Sequence, residues 1–275
     1  MPAIVISMSN LKGGVGKSST TLHLAGTLAK EGYRVAVVDA DPQASLTQGF
    51  FGPDETRAIP RHRTIAAYFD DGLIPAASEI VQSVDEHAGI YLLAGSRHLA
   101  SFNVPDPHLA PMDQQRALVP FIQDLREEVD FILIDTAPTL SLCTWAALTA
   151  SDGVVVPLQA EDFGSQGIAD VLDSIEAIQA QSNPGLRLLG YLLTMFNPKL
   201  AIHQTYATTL RRVYGDQVFA ATIPIATHFK EAVASRRSIA KYKPTSVAAK
   251  SIKAFADELR ERAFFTVKNH SRGAA

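Results

Sequence analysis

The densest chemical signal in the chain is Lys12-Gly13-Gly14-Val15-Gly16-Lys17-Ser18-Ser19, set between a short apolar run and a helical pattern. Three glycines within four residues let the backbone curl so that several N–H groups aim at one point. The helix that begins there adds the positive end of its dipole. A lysine at position 17 reaches the β- and γ-phosphates of a bound nucleotide, and the Ser18 hydroxyl is a ligand for Mg²⁺. Residues of these types at this spacing bind ATP or a similar triphosphate together with Mg²⁺. A common phosphate loop has glycine where Leu11 stands; here Leu11 is followed by an additional lysine, Lys12.

Two later segments offer carboxylates to the same site. Val37-Val-Asp39-Ala-Asp41-Pro42-Gln43 ends a β-branched run. An aspartate just beyond a strand tip can orient an attacking water or hold a Mg²⁺-bound one. Asp41 is the candidate for that role, with Asp39 structural or one layer further out. An aspartate before proline also commonly starts a turn. Phe131-Ile-Leu-Ile-Asp135 is a second buried run ending in a carboxylate, so Asp135 is expected to hold Mg²⁺ through water.

The elements that must position these residues are short apolar runs: 4–6, 35–38, 90–93, 131–134, 154–156, 188–193 and 218–223. Each is nearly continuous in apolar residues, as strands covered on both faces must be. Helical patterns lie between several of them, at 18–30, 165–181 and 247–263. Alternating strands and helices predict an α/β fold with a doubly wound, mostly parallel twisted sheet flanked by helices. Ligands of such sheets sit outside the C-terminal strand edge. Proline-rich stretches 52–63 and 103–111 read as surface loops. One domain over 1–265 is expected, with a frayed tail from 266 to 275.

Composition excludes several classes. The 275 residues are 47% hydrophobic and 19% charged, ordinary for a globular chain large enough for a sizeable core. A single cysteine, Cys143, rules out internal disulfides and fits a reducing compartment. No stretch approaches the ~20 apolar residues of a membrane span, and the N-terminus lacks the basic start of a signal peptide, so a cytoplasmic protein is expected. Eight scattered histidines show no metal-ligand spacing. The net charge of −3 hides an asymmetry: residues 1–198 hold 11 Lys/Arg against 23 Asp/Glu, and residues 199–275 hold 14 against 5. A basic C-terminal third points to an anionic partner, or else to a solvated face.

The motif with Lys12 resembles the deviant Walker A motif of the ParA/MinD ATPases, most closely the short ParA form with no helix-turn-helix before the first strand. Residues 37–43 resemble that family's switch I, 131–138 its Walker B strand, and 136–140 its switch II. The resemblance continues through 148–161, 192–197 and 223–232, and covers about residues 3–262. It implies a slow ATPase in which Lys12 reaches across an ATP-dependent homodimer to the partner's nucleotide, while Lys17 serves its own. It also implies that Phe196, Asn197, Pro224 and Ile225 enclose the adenine.

The resemblance further implies nonspecific binding of double-stranded DNA by the ATP dimer, nucleoid association, and stimulation by a ParB-like adaptor that links it to a cargo. Lys230, Arg236, Arg237, Lys241 and Lys243, with Lys199 nearby, are the candidate DNA contacts. Such a cluster neutralises several phosphates with strong salt dependence. The arginine often found just after the Ile-Pro pair is absent here. The alternative is a MinD-like membrane-associated regulator. Phe264, Phe265 and Val267 before a polar tail are too little for stable membrane anchoring.

Overall fold

The computed structural model describes residues 2–70, 74–84, 86–102, 104, 106–160 and 165–273. Eight strands form one sheet: β1 (Ile4–Met8), β2 (Val35–Ala40), β3 (Gln82–Ser83), β4 (Ile90–Leu93), β5 (Phe131–Thr136), β6 (Gly153–Gln159), β7 (Arg187–Phe196) and β8 (Val218–Pro224). Their order is β3-β4-β2-β5-β1-β6-β7-β8. All pairings are parallel except β3 with β4. The seven long strands are the seven apolar runs. The two residues of β3 are too few to show a period in sequence.

Successive strand residues face opposite sides of the sheet, and both sides are covered. Ile4, Ile6 and Met8 of β1 pack toward α1 (Lys17–Lys30) with Leu24 and Leu28. Val5 faces the other layer, with Ala36, Val38, Ile132 and Ile134. The remaining helices in chain order are α2 (Ser45–Phe51), α3 (Pro53–Ala58), α4 (Ala77–Ile80), α5 (Met112–Gln115), α6 (Val119–Leu125), α7 (Leu142–Thr149), α8 (Ser165–Gln181), α9 (Ala201–Tyr214), α10 (Thr227–Ala234), α11 (Ile239–Tyr242) and α12 (Val247–Gly273). Ile252, Phe255 and Leu259 of α12 join the α1 layer. Phe121 and Leu125 of α6 and Leu142 and Ala146 of α7 cover the opposite face. Ile168, Val171, Ile175 and Ile178 of α8 cover β6 and β7.

One expectation is corrected. Residues 52–63 are not a bare loop: Pro53 starts α3, and a 3₁₀ turn spans Arg61–Arg63. Proline at the first helical position loses nothing, because that N–H has no partner within the helix. The backbone of α12 is helical through Gly273, with no glycine or proline from Val247 to Arg272 to stop it. Within 103–111 a 3₁₀ turn covers Pro107–Leu109; residues 103 and 105 lie outside the described set.

A pair of histidines ties the basic segment after α10 to the helix that leaves the phosphate loop. His23 Nδ1 on α1 accepts the Ile239 N–H at 3.0 Å, and His87 Nε2 accepts the Ser238 N–H at 3.1 Å. Gly26 of α1 makes room for this approach, since a Cβ there would collide with Ser238. Lys30 closes the contact by donating to the Ala240 carbonyl at 2.9 Å. As acceptors both rings are neutral. Burial pushes His23 from 6.5 down to about 3, and burial, followed by the Lys241 charge, pushes His87 down to about 4.

Unfolded imidazoles protonate near 6.5, so the stability these contacts contribute is complete above that value and is lost as the pH falls toward the folded values. By pH 5 each ring is expected to cost about 2 kcal/mol. Melting temperatures measured from pH 7.5 to 5 should fall steeply. They should fall less in a His23→Asn, His87→Gln variant, whose amide oxygens keep the two acceptors without a titratable ring. A profile unchanged by that substitution would contradict the assignment.

Candidate functional site

The sheet brings the three motifs to one edge. β1 lies between β5 and β6, with Met8 beside Asp135 in register, and Asp39 of β2 is also beside Asp135. The phosphate loop therefore leaves the sheet centre beside the Asp135 strand, with the Asp39 strand one place further out. Gly14 and Gly16 have φ of +79° and +83°, in the left-handed region, where a side chain would be strained.

Side chains from β6, β7 and the loop itself fix this backbone. Asn10 is the hub: Nδ2 donates to the Pro157 carbonyl at 2.6 Å, and Oδ1 accepts the Lys12 N–H at 2.8 Å. Gln159 Nε2 donates to the Gly14 carbonyl at 3.0 Å, and Thr194 Oγ1 to the Val15 carbonyl at 2.8 Å. Thr136 Oγ1 joins the tips of β5 and β1 by donating to the Met8 carbonyl at 3.0 Å. Sequence reasoning did not single out Asn10, Gln159 or Thr194. They act on carbonyls, and no residue type announces that. The one usable signal was position, at the C-terminal ends of predicted strands.

The two lysines differ in setting. Lys17 is buried, and its ammonium donates to the carbonyls of Asn10 at 2.9 Å and Lys12 at 3.2 Å. Burial lowers its pKa, opposed by the charges of Asp135 and then Asp41. Lys12 is exposed at the lip of the loop. Ser18 and Ser19 open α1, half buried.

The carboxylates divide in the same way. Asp39 is fully buried and satisfied: Oδ2 accepts the Thr47 N–H at 2.8 Å and hydroxyl at 2.7 Å, and Oδ1 accepts the Asp41 N–H at 3.3 Å. Burial nevertheless raises it to about 6. Asp41 is 8% exposed, and its Oδ1 accepts the Gln43 N–H at 2.8 Å. Asp135 is fully buried, and neither carboxylate oxygen receives a hydrogen bond of normal geometry. Burial and then the Asp39 charge hold it well above the usual carboxylate range, while the Ser18 hydroxyl and the Lys17 ammonium pull it down.

A buried carboxylate whose oxygens receive no hydrogen bond of normal geometry suits a hydrated divalent cation. Among the described residues no three His, Cys, Asp or Glu side chains form a ready-made metal cage. Mg²⁺ takes one or two protein ligands and completes its shell with phosphate and water. Ser18 and Asp135 are the residues that would hold it. Two cavities of about 440 and 550 Å³ lie near Tyr68–Pro120 and Ala76–Val129, away from the strand tips.

A family model described as an AAA domain (AAA_31) matches residues 3–188. The chromosome-partitioning ATPase Soj of Thermus thermophilus is 36% identical over 258 residues, covering 94% of this chain and 95% of that one. The chain belongs to the ParA-type ATPase family. Chromosome partitioning protein ParA of Caulobacter vibrioides is 28% identical, covering 88% of each chain. In three dimensions this ParA-type ATPase is similar to cobyrinic acid a,c-diamide synthase of Mycobacterium smegmatis, solved with ADP and magnesium. The TM-score is 0.75 at 27% identity, over 93% of both chains.

The other predicted site residues of this ParA-type ATPase fall in two places. Phe196 pairs in register with Pro224 at the ends of β7 and β8, next to Asn197 and the exposed Ile225. Met195, beside them, is within 3.9 Å of where a Cβ on Gly16 would sit, so these ends adjoin the phosphate loop. Of the six basic residues, Lys199 follows Asn197 and donates its N–H to the Asn197 Oδ1 at 3.0 Å. Arg236, at φ +53°, packs over Gly52 and pairs with Glu55 at 3.2 Å. Arg237 and Lys241 pair with Glu86 at 3.2 and 2.9 Å. Lys243 Nζ is 3.0 Å from His228 Nε2. Lys199 and Lys230 have no ion-pair partner among the described residues.

Thr194→Val keeps shape but leaves the Val15 carbonyl without its donor. ATP affinity is expected to fall about 5- to 10-fold, the equivalent of about 1 kcal/mol, with little change in melting temperature. Calorimetric titration checks this, and unchanged affinity would show that β7 does not hold the loop.

Proposed function

We propose that this ATPase pairs two copies face to face across bound ATP, and that the pair binds double-stranded DNA without sequence preference. A ParB-like adaptor then accelerates hydrolysis and couples release to the movement of a plasmid, chromosome or protein cargo. The observation that carries this reading is the contrast between the two lysines: Lys17 is buried against its own loop, whereas Lys12 stands exposed at its lip. An exposed ammonium five residues ahead of the usual one is placed to meet phosphate charge arriving from a second subunit. Dimerisation then depends on the nucleotide that supplies that charge.

Within one subunit, the roles follow from the contacts. Backbone N–H groups of residues 13–19 cradle the phosphates, and Lys17 releases its two carbonyls to bind them. Mg²⁺, held by Ser18 and through water by Asp135, would neutralise charge on the β- and γ-phosphates. Asp41 orients the attacking water and takes up its proton. Phe196, Asn197, Pro224 and Ile225 border the base. The names of Soj and ParA, chromosome-partitioning proteins in their own organisms, support a partition role.

For DNA, Lys199, Lys230 and Lys243 are the contacts with no carboxylate to displace. Arg236, Arg237 and Lys241 must first exchange Glu55 or Glu86 for phosphate; exposed pairs of this kind contribute little, so the exchange is feasible. Two copies of the cluster in one dimer would raise affinity through multivalency. Among the described residues no helix is long and apolar enough to cross a membrane.

Sedimentation with a non-hydrolysable ATP analogue is expected to show a dimer for the wild type and a monomer for Lys12→Ala, with nucleotide binding by the monomer retained. A Lys12→Ala dimer of normal stability would sink the proposal. Lys230→Ala with Lys243→Ala should reduce the salt slope of ATP-dependent DNA retention by about 2 per subunit. ATP turnover without DNA should not change, and an unaltered slope would remove these residues from the interface.

A further inference from the structure

The strand-tip site is built from carboxylates that call for a cation. Immediately beside it is a cavity of opposite character. It measures about 260 Å³ and lies against the Pro42–Ala44 turn that comes after Asp41, with Thr56 and Arg57 of α3 on one side and Ser96–His98, just after β4, on the other. Among the described residues that line it, none is acidic. Arg57, Arg97 and His98 face it together with the amides of Gln43 and Gln48.

The arginines are available. Arg97 is exposed and has no ion-pair partner among the described residues. Arg57 meets only Asp54, at 3.5 Å, with side chains 78% and 89% exposed. Such a pair contributes little and is easily exchanged. The turn that forms the third wall is braced: Gln48 Nε2 donates to the Gln43 carbonyl at 2.8 Å, and the Gln43 N–H is held by Asp41. Ala44 sits at φ +51°, a conformation that costs a non-glycine residue free energy and persists where its surroundings enforce it.

We propose that this cavity is a second phosphate-binding site, separate from the phosphate loop, which takes one phosphate group of a small phosphorylated metabolite or of a nucleic-acid backbone. Two guanidinium forks, with the side-chain amides of Gln43 and Gln48 and the Ser96 hydroxyl in the same lining, match a tetrahedral dianion better than a single carboxylate. Because the Asp41 turn is a wall of the cavity, a phosphate held there restrains the residue that orients the attacking water. The proposal requires neither dimerisation nor the basic cluster at 230–243, so it can fail or succeed independently of them.

The test loads the protein with Mg²⁺ and a non-hydrolysable ATP analogue to fill the phosphate loop. Inorganic phosphate is then added, and arginine modification by phenylglyoxal is mapped by peptide mass. Arg57 and Arg97 are expected to be protected several-fold while exposed Arg212 is not. Direct titration followed by phosphorus NMR should show saturable binding that weakens at least tenfold in Arg57→Gln with Arg97→Gln. A parallel arm with short duplex DNA identifies the source: protection by DNA but not by free phosphate assigns the site to the nucleic-acid backbone. If the double variant is unstable, the wild-type protection map decides. Equal modification rates with and without both ligands overturn the proposal.

Discussion

The strand-tip site depends on a buried carboxyl group whose charge the polypeptide alone does not fully offset. Asp135 ends the central strand β5, fully buried, and neither of its oxygens receives a hydrogen bond of normal geometry. Its neighbour in register, Asp39, is another buried carboxylate, but Thr47 holds that one. The fold therefore gives up stability at one point, where desolvation works against a carboxylate it keeps. A buried charge of this kind persists where a ligand supplies the missing partner. The phosphate loop, the Lys17 ammonium and the Ser18 hydroxyl are arranged around that charge rather than around each other.

From the same constraint comes the division between the lysines. A buried ammonium close to Asp135 and Asp41 is held by their charges and by two loop carbonyls. Lys12 shares the loop but not the burial. The helix that begins at Lys17 then carries the connection outward. Six residues along, His23 holds the backbone at 239, and Gly26 lets Ser238 pack against the helix. Helix α1 thus carries Lys17 at its start and holds the basic segment farther along.

Much of this is legible in the sequence because it is local. The spacing of Gly13, Gly14, Gly16 and Lys17 defines the loop within a few residues, and continuous apolar runs ending in Asp39 and Asp135 mark buried parallel strands. The features that escape sequence reasoning are non-local or act on backbone. Asn10, Gln159 and Thr194 position the loop by donating to carbonyls up to 179 residues away. In sequence, the charge cluster at 230–243 is uniformly available to an anion. Its pairing with Glu55 and Glu86, 151 to 181 residues distant, is set by the packing of α3 and the β3–β4 segment against α10 and α11. Pro53 reads as a loop residue because a proline that breaks a helix and one that begins it are the same residue type; only the turn of helix on its C-terminal side separates them.

The central proposal, that Asp135 serves a magnesium-bound triphosphate, is tested most directly by calorimetric titration of a non-hydrolysable ATP analogue with and without Mg²⁺. In the wild type Mg²⁺ is expected to tighten binding by about tenfold or more, the scale of a charge-assisted contact. In Asp135→Asn the nucleotide should still bind, with that increment gone. An equal gain from Mg²⁺ in both proteins would contradict the account.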